Sequence, residues 1–488
     1  MEDRGHRAVG CVDDRDGRVI PEGTIPSESS PVVPWGTAAR ARLARRQWPI
    51  MAMFVMLAAG MAFMFAWDPV VHHNGSWSTG SDLWGIFRGA HYVGWGFVGG
   101  IYTPSDGIIT FPGMTILLAP VAMLASHLHM TESFMPYLLR HPTAALVLQP
   151  IELLLASTVV FATDALAERL VVSKRRRILL CFLVGIIAWP TAAVWGHAED
   201  ALAVTFAVYA MLAFLDRKWS KAGWLFGFGI VVQPLVALML PLFIGAIPAG
   251  RRIALAVRSA ALSVVLVGVA FAGNAGDTYR ALVKQPTPPS VNHATPWVAL
   301  APKIPPASVP VTHQVSLVPG LGHPSLTSVT VAVHPVTLVA GGPGRSIDVI
   351  VAILFGIYVW RRPQHAIRLL WLAAAVLASR CFFEAVMTPY YIAPPLFLAL
   401  VLASRQGGKR FWAAAVIALE ITVLAYYHLN PWVWWLCIVA GLAGTLALSY
   451  PNDLTSTSGP PAGASSTSAP VEPETEIAEP IRSLEPAL

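Results

Sequence analysis

With 488 residues, 55% of them hydrophobic and only 12% charged, and a mean hydropathy of +0.59, the chain is too apolar to sustain a water-exposed surface and reads as an all-α polytopic membrane protein. Its apolar runs suit helices of about 20 residues and exclude a transmembrane β-barrel, whose strands alternate apolar and polar residues. The net charge of +6 lies in short clusters between these runs, where it sets orientation, so no nucleic-acid partner is implied.

Residues 1–47 are polar and irregular and are expected to form a disordered cytoplasmic segment. Arg40, Arg42, Arg45 and Arg46 precede the first apolar run, Ile50 to Trp67, which lies too deep in the chain for a secretory signal and reads as a retained anchor. Residues 68–110 form a first external loop with Asp82 near its start, Arg88 and His91 after it, Asp106 near its end and aromatics throughout. As a helix, Asp82 to Gly89 is amphipathic and suits a membrane surface. Phe111 to Leu128 is apolar, but a full crossing there would put Lys174 to Arg177 on the wrong side. It is therefore read as re-entrant or interfacial.

Helices are expected near 144–166, 178–195, 200–215, 253–273, 347–360, 366–387, 390–404, 411–428 and 432–449. Between basic clusters, Trp224 to Pro248 must enter and leave on one face, most simply as two short helices broken at Gln233 and Pro234, because proline lacks an amide donor and disfavours helix in the residue before it. The bundle, residues 48–449, then holds about 10 to 13 transmembrane helices. Residues 274–345 form a second large, Pro-rich external loop, in which Ser328 to Gly342 (SVTVAVHPVTLVAGG) is expected to fold as a hairpin about its proline. The Pro/Ser/Thr/Glu-rich tail, 450–488, is expected to be disordered, with both termini cytoplasmic. Cys11, Cys181, Cys381 and Cys437 are widely separated and spell neither a metal site nor a disulfide framework.

Ionisable residues in the apolar runs call for a reason, and the set considered is Glu152, Asp164, Asp200, Arg380 with Glu384, and Glu420. Each can be a helix end reaching interfacial water, a pair pinning two helices, or part of a site. The densest cluster is WGHAED, Trp195 to Asp200. A carboxylate of Glu199 or Asp200 at a helix start caps amides and meets the favourable end of the dipole, which accounts for it without chemistry. His197 is left over, and can bind a phosphate or orient a water. A metal held by these groups is conceivable, though the spacing is not diagnostic. Arg380 and Glu384 are spaced to pair on one helix face, with Tyr390 and Tyr391 at an interfacial exit. The functional reading makes Arg380 a phosphate ligand steadied by Glu384.

The order of these features resembles the GT-C superfamily of polyprenol-dependent glycosyltransferases, nearest to glycosyltransferase family 87, the bacterial mannosyltransferase-like membrane proteins. The resemblance rests on an Asp near the start of the first external loop, IYTPSDGIITFPGMTILLAP (Ile101 to Pro120), GHAED (Gly196 to Asp200), AGWLFGFGIVVQPLVALMLPLF (Ala222 to Phe243) and SRCFFEAVMTPYYIAPPL (Ser379 to Leu396). It covers about residues 48 to 400. Two positions depart from the family pattern: His197 stands where glutamine is common, and Gln233 where lysine is common.

The resemblance implies a GT-C-like bundle in the cell membrane and transfer of mannose, or another hexose or pentose, from a polyprenyl phosphate sugar to a lipid or cell-envelope glycan acceptor. The reaction would take place on the extracytoplasmic side with inversion. Asp82 would be the general base; Arg88, His91, His197, Glu199, Asp200, Gln233, Arg380, Glu384, Tyr390 and Tyr391 would bind the donor phosphate or support the site. No cofactor is demanded, and a divalent cation stays open. Two other readings stand beside this one: a transporter or lipid flippase with Glu152, Asp200, Glu384 and Glu420 along a path, for which a broken helix at Gln233 and Pro234 is typical, and a GT-C-like scaffold without activity.

Overall fold

The computed structural model describes residues 44–67, 81–102, 110–130, 144–287, 289, 293–304, 312–316, 326–330, 338–427 and 429–452. The chain divides into two units, Met1–Gln47 and Trp48–Leu488, and the second holds the helical bundle. Both expected disordered termini, apart from a few residues at their inner ends, fall outside the described residues, as does Asp106.

The architecture is all-α. Helix α1 (Gln47–Ala62) runs on through a π-helical turn at Phe63–Trp67. It is followed by α2 (Ser81–Gly94), α3 (Gly113–His127), α4 (Ala145–Arg169), α5 (Lys174–Ala193), α6 (Ala198–Leu215) and α7 (Trp219–Val232). A 3₁₀ turn at Pro234–Met239 leads into α8 (Leu240–Ala246), then α9 (Ala249–Gly273) and α10 (Ala275–Tyr279). The C-terminal part holds α11 (Gly342–Arg361), α12 (Ala366–Phe383), α13 (Ala393–Gln406), α14 (Gly408–Leu424) and α15 (Pro431–Ser449).

Among the described residues eight helices are long and apolar enough to cross a membrane: α1, α4, α5, α6, α9, α11, α12 and α15. The expectation of ten to thirteen is larger because it counts the shorter helices α7, α8, α13 and α14 as well. Helix α3, the segment read as re-entrant or interfacial, has 15 residues, and at about 1.5 Å per residue it falls short of a hydrocarbon core about 30 Å thick. The break at Gln233 is present: α7 stops at Val232, Gln233 is extended (φ −146°, ψ 114°), and Pro234 opens the 3₁₀ turn.

Helix α13 lies at the centre. It packs against α4, α5, α6, α12, α14 and α15, and every residue from Ala393 to Ser404 is buried. Around it α4 packs on α5 and α6, α6 on α7, and α7 on α9, while α2 packs on α3 and α8 on α11. Small residues permit the closest approaches: a Cβ at Gly227 of α7 would stand 2.9 Å from the Arg258 carbonyl oxygen of α9. Asp164 of α4 accepts two bonds from Arg177 of α5, at 2.8 and 2.9 Å, so this intramembrane acid pins two helices. Glu420 is exposed on α14. An apolar groove of about 310 Å³ lies between α1 and α5, lined by residues that include Val55, Met56, Phe182 and Trp189.

Among the described residues six short strands form three antiparallel pairs: β1 (His293–Ala294) with β6 (Val386–Met387), β2 (Lys303–Ile304) with β5 (Leu338–Val339), and β3 (Thr312–Ser316) with β4 (Leu326–Thr330). The hairpin expected within Ser328 to Gly342 is corrected here. Its residues do form strands, but β4 pairs with β3 and β5 with β2, both earlier in the chain, and the turn at Pro335 lies outside the described residues.

The expected helix 366–387 is also corrected, because α12 ends at Phe383 and Glu384 is extended. Side chains from the 274–345 loop take the carbonyls that the helix end leaves without partners. Trp297 Nε1 donates to the Phe382 carbonyl (2.8 Å), and the Thr295 hydroxyl lies 2.6 and 3.1 Å from the carbonyls of Glu384 and Ala385.

Candidate functional site

Two short motifs meet at the start of α6. Helix α2 carries Leu83, Ile86, Phe87 and Ala90, all buried, at the i, i+3, i+4, i+7 spacing of one helical stripe. This stripe seats α2 on the bundle and leaves Asp82, in its first turn, with a side chain 48% exposed. The second motif is the turn between α5 and α6. Gly196 adopts φ +75°, a left-handed conformation that costs glycine little, and the Gly196 and His197 amides donate back to the carbonyls of Ala192 and Thr191. The reversal delivers His197 as the residue before α6, with Glu199 and Asp200 in its first turn.

His197 is clamped. Its Nε2 lies 2.7 Å from Asp82 Oδ2 and its Nδ1 2.5 Å from Glu199 Oε1, while Tyr390 stacks on the ring at a centroid distance of 3.7 Å. Burial pulls the imidazole pKa down, but the carboxylates of Glu199 and Asp82 outweigh it and hold the pKa well above 6.5. A carboxylate at each ring nitrogen favours the imidazolium, which donates from both. Both ring nitrogens are engaged by carboxylates, which places His197 as a support for Asp82. The capping expectation is corrected for Glu199: its carboxylate goes to the histidine, and the His197 side chain at the N-cap makes no capping bond.

Further charge gathers behind this trio. Glu152 of α4 is buried against the Ala198 backbone at the start of α6, and the charges of Glu199 and His197 act on it. Asp200 is equally buried, between Glu199, His197, the Arg380 charge and the Gln233 amide. The extended link after α7 is what turns Gln233 into this space. The Arg380 guanidinium stands 3.5 Å over the Tyr391 ring, and its Nε lies 3.5 Å from Glu384 Oε2. Arg345, from the first turn of α11, reaches Glu384 Oε1 at 3.1 Å and also donates to Gln285. Burial pushes the Tyr390 phenol above its ordinary range.

The structure therefore brings together Asp82, His197, Glu199, Asp200, Gln233, Arg380, Glu384, Tyr390 and Tyr391 from five parts of the chain. His91 lies about 13 Å further along α2 than Asp82, where its Nδ1 is 3.0 Å from the Ser126 hydroxyl of α3. It ties those two helices together. Arg88 lies between the two on α2 and is half-buried.

Three contributors were not among the expected site residues. Arg345 looks like the end of a loop, Gln285 carries no motif, and Asp348 sits in a run that reads as lipid-facing. An aspartate in an apolar run was the available signal for Asp348, which is buried beside Ser379, Glu384 and Arg380. Among the described residues no group of three or more His, Cys, Asp or Glu is arranged to hold a metal ion.

No family model matches the chain, and no curated protein matches it.

Proposed function

We propose that the chain is a membrane glycosyltransferase that moves a sugar from a polyprenyl phosphate donor to a hydroxyl of a lipid or cell-envelope glycan, with inversion, on the extracytoplasmic face. The observation that carries this reading is the half-exposed Asp82 carboxylate held by the buried imidazolium of His197. An alcohol is a weak nucleophile, and a fixed carboxylate at the edge of a polar cluster can take its proton as the oxygen attacks the anomeric carbon. The bond from that carbon to the phosphate oxygen breaks, and the phosphate leaves with the pair. Arg380 supplies the positive charge that the leaving group requires, a task that falls to it because His197 is engaged and Gln233 is neutral. The groove between α1 and α5 suits a hydrocarbon chain, as a lipid-linked donor demands.

Membranes containing wild type or Asp82→Asn, supplied with labelled polyprenyl phosphate sugars, test the proposal. Wild type is expected to form glycolipid or glycan product and the variant to lose it; equal transfer by both overturns the assignment. One observation favours a second reading, a lipid or proton-coupled transporter: Glu152 and Asp200 are two acids buried side by side within the bundle, as acids along a membrane path often are. Movement of labelled lipid across the bilayer with no new glycosidic bond would select it.

A further inference from the structure

We infer that Glu199 is a positioning residue for Asp82, acting through His197, so that the three side chains work as one unit running from the bundle interior to its accessible edge. The inference rests on Asp82 being the proton acceptor of the proposed reaction.

Three observations carry it. Side-chain exposure rises along the row, from 0% at Glu199 through 7% at His197 to 48% at Asp82, so the anchored end is the buried one. The histidine accounts for the hydrogen bonding of Glu199: Oε1 meets Nδ1 at 2.5 Å and Oε2 has no partner. A first-turn carboxylate serving only the helix would accept from backbone amides, whereas the Glu199 carboxylate accepts from the imidazole. Finally, Tyr390 covers the ring face and the Gly196 turn fixes the backbone, so the imidazole cannot swing while Glu199 holds Nδ1.

The consequence for Asp82 is one of orientation and charge. With Glu199 against Nδ1, the doubly protonated ring is favoured, and its Nε2–H points one carboxylate oxygen of Asp82 toward the protein. The groups facing the ring from the packed elements are Asp82 on α2, Glu152 on α4, Glu199 and Asp200 on α6, and the Tyr390 hydroxyl. Of these, only Glu199 and Asp82 touch its nitrogens. A glutamine at 199 still accepts from Nδ1–H but carries no charge. The ring then loses a proton at lower pH, from Nδ1, because the Asp82 carboxylate favours Nε2–H while the introduced amide can turn its NH2 to Nδ1. The neutral ring holds Asp82 by a weaker, uncharged donor.

The test uses full-length protein in lipid nanodiscs with ¹⁵N-labelled histidine, the His197 signals being assigned by their loss in His197→Gln. Wild type is expected to show both ring nitrogens protonated through neutral pH. In Glu199→Gln the titration moves to lower pH with Nδ1 as the nitrogen that loses its proton, and Glu199→Asp, which keeps the charge, moves it back toward wild type. In the transfer assay Glu199→Gln is expected to lower kcat about 10- to 100-fold, the range seen when a carboxylate orienting a histidine is removed. The alkaline limb of its pH profile moves downward and KM for the donor is unchanged. An unchanged His197 titration in Glu199→Gln overturns the coupling. A shifted titration with a wild-type pH profile and kcat overturns the positioning role. If wild type transfers no sugar, the glycosyltransferase reading fails, and the nitrogen titrations alone decide whether Glu199 governs the His197–Asp82 pair.

Discussion

Gly344 is where the frame of the site has least room. A Cβ there would overlap the Phe383 carbonyl oxygen and stand 2.6 Å from its carbon and 3.3 Å from Glu384 Cα. All three are backbone atoms, so no rotamer change relieves the contact, and α11 and the end of α12 would have to part. Overpacking of this kind typically costs about 1–3 kcal/mol, and here it also pulls Glu384 away from Arg345 and Arg380. Gly268 is the matched control: it lies inside α9 with nothing within 4 Å of an added Cβ, and replacing a mid-helix glycine by alanine gains about 0.5–1 kcal/mol. At about 2 °C per kcal/mol for a large domain, Gly344→Ala should lower the apparent Tm by about 2–6 °C, whereas Gly268→Ala should hold or raise it. Tryptophan fluorescence of purified protein on heating in detergent reads both. A Gly344→Ala variant at least as stable as Gly268→Ala refutes the argument.

Three further outcomes are expected. Arg177→Gln strands Asp164 inside the bundle and should destabilise by about 3–5 kcal/mol, while adding Asp164→Asn should recover part of the loss in the same melting assay. Because the folded pKa of His197 is raised, its clamp contributes fully below the unfolded value of about 6.5 and is lost as pH climbs through the folded value. Tm should therefore fall from pH 6.5 upward in wild type and fall less in His197→Gln. Trp297→Phe removes the 2.8 Å bond to the Phe382 carbonyl and should cost about 1 kcal/mol, with the C-terminal turn of α12 exchanging amide hydrogens faster.

The long helices are legible in the sequence because an apolar run bounded by arginines has few alternatives in a bilayer. The break at Gln233 follows from one proline. The convergence of WGHAED with Asp82 and with the segment around Arg380 could be anticipated only from the scarcity of polar groups, since nothing local says that residues 82, 197 and 380 meet. Sequence spacing misleads where partners are distant. Arg380 and Glu384 look like an ordinary helical pair, yet Glu384 is extended and shared with Arg345, because Thr295 and Trp297 from a far loop end the helix there. Likewise a β-branched run announces strands but not their mates, so β4 and β5 pair backward along the chain. His197 looks available for a ligand until both of its nitrogens are seen to be taken.

Helix α13, sheathed by six others, answers to two environments in succession. When it first enters the bilayer its neighbours α14 and α15 have yet to be synthesised, so lipid must cover the flank they later occupy. In the finished protein that flank touches side chains instead. Its run of proline, leucine, phenylalanine, alanine and valine meets both demands because apolar side chains suit lipid and packed protein alike. A polar substitution at the α14-facing side would thus register during biogenesis, as failed insertion, before any effect on the finished bundle could be measured.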